Sequence, residues 1–124
     1  MDIEIQKTFT KSQLMNGMIV ETRKGTRLLV VIYQTFGFKE YKFINNTMWV
    51  DGGHYNEDLT RYDFMTDNYR DIMKVYVTEN NNSLEDMLKD ENLKLVWDRE
   101  RKEKMTLAEI EAKLGYKIDL VESV

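Results

Sequence analysis

The one histidine of the chain, His54, stands in the run Asp51-Gly52-Gly53-His54-Tyr55-Asn56-Glu57-Asp58, with carboxylates on both sides of it. Carboxylates and an imidazole together can ligate a hard metal or form an acid–base set. The competing reading is a surface turn in which Asp and Asn bond their own backbone, and a lone histidine in a glycine-rich loop favours that reading. Gly52-Gly53 is no phosphate loop, because neither a Lys-Ser/Thr pair nor a helix start follows it. Ser12, Ser83 and Ser123 are the serines, and none lies in a G-x-S-x-G elbow. Without cysteine there is no thiolate nucleophile, disulfide framework or cysteine-ligated zinc. The expectation is a non-enzyme with no metal site and no cofactor; a small hydrolase or metal-dependent enzyme using His54 with Asp51 or Asp58 is the alternative.

Aromatic residues crowd the middle of the chain. Phe36, Phe38 and Tyr55 fall in loop-like stretches and are read as a recognition surface, since a loop aromatic needs a partner or a packing site. Trp49 and Phe43 are assigned to the core instead. Lys7, Lys11, Arg23, Lys24 and Arg27 make a basic strip near the N-terminus, the candidate contacts of a nucleic-acid-binding alternative. A net charge of −4 and a sequence pI near 5.1 oppose that alternative, because neutralising phosphates takes clustered Lys and Arg.

These residues must be positioned by some framework, and the clearest part of it is the stretch 16–33, NGMIVETRKGTRLLVVIY. Met18, Val20 and Thr22 alternate with Ile19, Glu21 and Arg23, the period of a strand. Lys24-Gly25 supplies the hairpin turn, and residues 28–33 are apolar throughout, as expected of a central strand covered on both faces. A helical turn opening at Thr10 or Ser12 precedes it, and residues 34–40 around Phe36-Gly37-Phe38 read as a loop. Residues 41–44 and 48–50 flank Asn45-Asn46-Thr47 as a second hairpin. A strand over 71–78, with Met73, Val75 and Val77 facing the core, leads to a short helix capped at Ser83, and Leu93, Leu95 and Trp97 share a face of another strand. Thr106-Leu107-Ala108-Glu109 is a capping box for a helix that buries Leu107, Ile110 and Leu114 and stops at Gly115, with a closing strand after it. Its continuation argues against a helix-turn-helix, for no recognition helix follows.

Size and composition fit one domain over 1–124, with 42% hydrophobic and 32% charged residues. Short antiparallel strands with small helices predict an α+β domain: a strongly bent SH3-like barrel over about 14–98, and a short amphipathic C-terminal helix and closing strand over about 105–122. The N-terminal residues lack the basic and apolar regions of a secretory signal, so a cytoplasmic location is expected.

Taken in order, Leu14-x-Asn16-Gly17-Met18-x-Val20-Glu21-x-Arg23-x-Gly25, Tyr55-Asn56-Glu57-Asp58-Leu59-Thr60, Asp71-Ile72-x-Lys74-Val75-Tyr76, Leu95-Val96-Trp97-Asp98-Arg99 and Met105-Thr106-Leu107-Ala108-Glu109-Ile110-Glu111-x-x-Leu114-Gly115-Tyr116 form a set of motifs. The set resembles small, functionally uncharacterised phage and prophage proteins of Gram-positive bacteria. The resemblance covers the chain from Leu14 onward and implies a phage-encoded accessory protein in the host cytoplasm, without handing over a catalytic residue. Where such proteins have an acidic loop before the Tyr-Asn-Glu-Asp-Leu-Thr run, this chain has Asp51-Gly52-Gly53-His54. The expected role is a protein-binding module for a host or phage partner, with an inhibitor of a host defence nuclease as its sharpest form.

Overall fold

A computed structural model describes residues 5–61 and 69–100, together with residues 108, 111, 112 and 115. Its frame is one six-stranded antiparallel sheet in the order β4-β3-β2-β1-β5-β6. The strands are β1 (Ile19–Thr22), β2 (Arg27–Thr35), β3 (Phe38–Ile44), β4 (Trp49–Asp51), β5 (Ile72–Thr78) and β6 (Leu93–Asp98). One four-residue helix, α1 (Leu84–Met87), and three 3-10 turns complete the described elements.

The first hairpin forms as its alternation predicts, with Val20 opposite Leu28 and Glu21 opposite Arg27. Being central, β1 is covered on both sides, and Ile19 and Val20 are both fully buried. β2 is less enclosed than its unbroken apolar run implies: Leu28 and Val30 are buried, whereas Tyr33 is exposed. The predicted loop at 34–40 does not exist. β2 and β3 pair all the way to Thr35 opposite Phe38, leaving only Phe36 and Gly37 as the turn. Both turn residues have positive φ, 52° and 83°, the pattern of a type I′ hairpin that matches the twist of its strands.

The core runs across one face of the sheet through Phe43, Val30, Leu28, Val20 and Val75 to Trp97. β5 joins it by a bulge: Thr22 pairs with Ile72 while Glu21 pairs with Lys74, so Ile72 enters the core cluster where alternation alone would place Met73. A second slip on the other side of β5 lets Val96 and Trp97 both be buried.

The sheet does not close, and the SH3-like barrel is therefore corrected to an open, mainly β architecture. Closure would require β6 to pair with β4. Instead the outer side of β6 takes a parallel bridge from Gln6, whose amide donates to the Val96 carbonyl at 2.7 Å. β4 stops after three residues because Gly52 begins a 3-10 turn. The space that a second layer of strands would fill is occupied by irregular chain bearing Phe9, Leu14, Tyr55 and Leu59, all buried. The α+β class and the short C-terminal helix are likewise not shown; the stretch 105–122 lies outside the described residues apart from Ala108, Glu111, Ala112 and Gly115. The Ser83 cap is present, its side chain accepting from the Asp86 amide at 3.1 Å.

Candidate functional site

Tyr55-Asn56-Glu57-Asp58-Leu59-Thr60 is a plug, held from three sides. Asn56 and Thr60 bond through their backbones at 2.9 Å, which turns the chain so that Leu59, at φ 69°, drops fully buried into the core. Lys11 donates from its amide to the Glu57 carbonyl at 2.8 Å and from its Nζ to the Tyr55 carbonyl at 3.3 Å. The Arg99 guanidinium donates to the Asp58 and Ile72 carbonyls at 2.6–3.1 Å and so ties the plug to β5. Tyr55 is buried, its ring edge-on to Phe43 and its hydroxyl donating to the Arg70 carbonyl at 2.7 Å. Burial pushes its pKa up. Tyr55 is thus a core residue, not part of an exposed aromatic surface.

The carboxylates around His54 serve the backbone. Asp51 accepts from the Gly53 amide at 2.9 Å, and Asp58 accepts from the Thr60 hydroxyl at 2.5 Å and the Thr60 amide at 3.0 Å. Among the described residues no group of three or more His, Asp or Glu side chains is placed to hold a metal ion. The Thr60 hydroxyl, then its amide, hold the Asp58 carboxyl below the usual carboxylate range. A carboxyl whose folded pKa is depressed stabilises the fold above its unfolded pKa, and that contribution disappears as pH falls through the folded value. The melting temperature should therefore change little from neutral pH down to about pH 5 and fall below about pH 4. Removing the hydroxyl in Thr60→Val should raise the Asp58 pKa toward its ordinary value in a carboxyl NMR titration; an unmoved pKa would refute the assignment.

The basic strip does not assemble. Arg27 bonds Glu21 at 2.9 Å and the Leu88 carbonyl at 3.0 Å and pairs with Asp90, stapling the α1 segment to the sheet. Asp90 and Glu21 raise its pKa against the desolvation that lowers it. Arg23 lies 3.3 Å from Glu100 and 3.9 Å from Asp71, while Lys11 is committed to the plug over the Tyr41 ring. Lys7 is exposed, and Lys24 stands over Tyr69 at the opposite end of β1 from Met18.

Two features stand out once these residues are placed. The first is the tip of the β2–β3 hairpin, where Phe36 is 96% and Phe38 73% exposed. The second is an open cavity of about 470 Å³ at the other end of β2, reaching from Thr26 and Leu28 past Val50 and Tyr55 to Tyr69. Among the described residues its lining includes Lys24, Arg61, Arg70, Asp51 and His54. The Arg70 guanidinium is 5.1 Å and the Lys24 ammonium 5.9 Å from the Tyr69 ring centre, and Arg61 is 5.5 Å from that of Tyr55. Nothing in the sequence singles out Arg61 and Arg70, because only the fold brings them to the same cavity as Lys24. Trp49, assigned to the core, is instead 63% exposed beside the cavity. Alternation carried that signal: Val50 faces Phe43, so Trp49, opposite Ile44, must take the other face.

Comparisons with protein-family models, curated proteins and solved structures found no match. Among the described residues no helix is long and apolar enough to cross a membrane.

Proposed function

We propose that the protein is a non-enzymatic, protein-binding module that presents the tip of the β2–β3 hairpin to a partner. The observation that carries this is Phe36: a bulky ring, almost fully exposed, at φ 52°. That left-handed region disfavours a Cβ, and a type I′ turn selects Asn or Gly at this position. Folding gains nothing from the ring, which touches water, so its presence is explained by what it contacts outside the chain. Phe38, two residues on, adds a second ring, and the exposed Lys39 beside it suits an acidic margin around the partner's apolar cleft. The phage-protein resemblance supplies the partner class, a host or phage protein in the host cytoplasm, with a defence nuclease as the narrowest version.

Phe36→Asn separates the roles of this residue. It relieves the turn, so the protein should become more stable by about 1 kcal/mol. It also removes the ring, so partner capture from host lysate at physiological salt should fall roughly 30-fold, a hot-spot loss of about 2 kcal/mol. Equal capture by the parent and by a Phe36→Asn, Phe38→Ser double variant would refute the proposal, as would no specific capture by the parent.

A further inference from the structure

Given that the β2–β3 tip is what meets the partner, we infer that the partner adds an extended segment, alternating acidic and apolar residues, as a strand along the outer edge of β3. Thr35 and Phe38 face each other across the two-residue turn, so the ladder bonds to β2 fall at Phe38, Glu40 and Lys42. The N–H and C=O of Lys39 therefore point away from β2. β4 takes that edge only from Lys42 onward, because Gly52 turns the chain away, and neither Lys39 group has a hydrogen-bond partner among the described residues. At the other edge of the hairpin the Asn16 side chain already takes both backbone groups of Ile32.

The two faces of this edge differ in chemistry. Lys39 and Lys11 stand 5.5 Å and 5.2 Å from the centre of the Tyr41 ring, and neither pairs with a carboxylate among the described residues. Two ammonium groups at one ring repel each other, and a carboxylate beside them relieves that repulsion. Glu57 feels the Lys11 charge but already accepts from the Ser12 amide at 2.9 Å and from the Ser12 hydroxyl. On the opposite face Phe38 lies beside Glu40, where an apolar side chain is favoured and a further carboxylate is repelled. An added strand alternates its side chains between the faces, so acid at every second residue meets lysine and the residues between meet Phe38. A second copy of this chain is a poor occupant, because two-fold antiparallel pairing about Lys39 would set lysine against lysine.

The test titrates three blocked peptides into the full chain at physiological salt, following backbone amides by NMR: one alternating Glu and Val, the same with Lys for Glu, and the Glu-Val peptide with its valine amides N-methylated. The first should give saturable shifts centred on Phe38, Lys39, Tyr41 and Lys11, with the other two each at least about tenfold weaker. Lys39→Thr removes the ammonium and keeps the amide, and should weaken binding roughly threefold, as for one exposed ion pair. Lys39→Pro also removes the outward N–H at no cost to the ladder with β2, and should weaken binding roughly fivefold more. Should Lys39→Pro melt lower than the parent, the N-methylated peptide still reads the backbone bonds from the other side. No saturable shift with the Glu-Val peptide, equal binding of either counterpart, shifts mapping away from β3, or a parent that dimerises through this edge would overturn the inference. Phe36→Asn should bind the Glu-Val peptide like the parent, so a failed titration beside intact Phe36-dependent capture removes strand addition alone, whereas lost capture removes the hairpin tip as the contact.

Discussion

Phe43→Ala is expected to destabilise the protein by about 3–5 kcal/mol, the range for truncating a buried phenylalanine. Phe43 is fully buried and is paired across the sheet with Val30 on one side and Val50 on the other. Its ring also meets Tyr55 at 5.4 Å between centres and 68° between planes. The alanine variant would leave a cavity bounded by both strands and the plug, and few domains of this size have more than about 5–15 kcal/mol to lose. Chemical denaturation should show a lower midpoint at an unchanged slope. A loss under about 1 kcal/mol would mean that the site collapses and that the plug is not seated on Phe43.

Gly52→Ala should be nearly as damaging, for the opposite reason. A Cβ at Gly52 would stand 2.3 Å from the Tyr41 Cβ and 3.0 Å from the Tyr41 carbonyl oxygen. Both atoms are fixed to the β3 backbone, so no rotamer change relieves the clash and the end of β4 must move away from β3. The expected loss is about 3 kcal/mol, at the upper end of overpacking costs. Gly53→Ala is the control. The nearest atom there is a terminal oxygen of the Asp51 side chain at 3.3 Å, which can give way, and the loss should stay below about 1 kcal/mol. If the two variants melt together, the close approach of Gly52 to Tyr41 is wrong.

Local signals in the sequence suffice where one short-range rule decides the outcome. The Lys24-Gly25 hairpin, the Asn45 turn and the Ser83 cap each depend on residues within a few positions of one another. Closure of the sheet is not such a property. It depends on what occupies the edges of β4 and β6, and the bridge from Gln6 to Trp97 spans nearly the whole described chain. The bulges at Glu21/Thr22 and Val75/Tyr76 shift the inward face partway along a strand, which a strict period of two cannot foresee. At the site, Phe36 and Phe38 are exposed at and beside a two-residue hairpin turn rather than in the longer loop their neighbours suggest, and Tyr55 is buried. The turn chemistry around it marked a surface loop, and the chain bends inward only because Leu59 and Arg99 hold it there.

The strand order has a consequence for the path by which the chain acquires its shape. β1 through β4 form a meander of consecutive hairpins, closed by short segments and open to rapid assembly. β1 completes its other side only when β5 arrives, joining Val20 to Val75 across the whole stretch that carries the plug. On a ribosome, Ile19 and Val20 therefore wait beside an unfilled edge until that later strand emerges, and this interval is when a nascent chain is most exposed to mispairing with another.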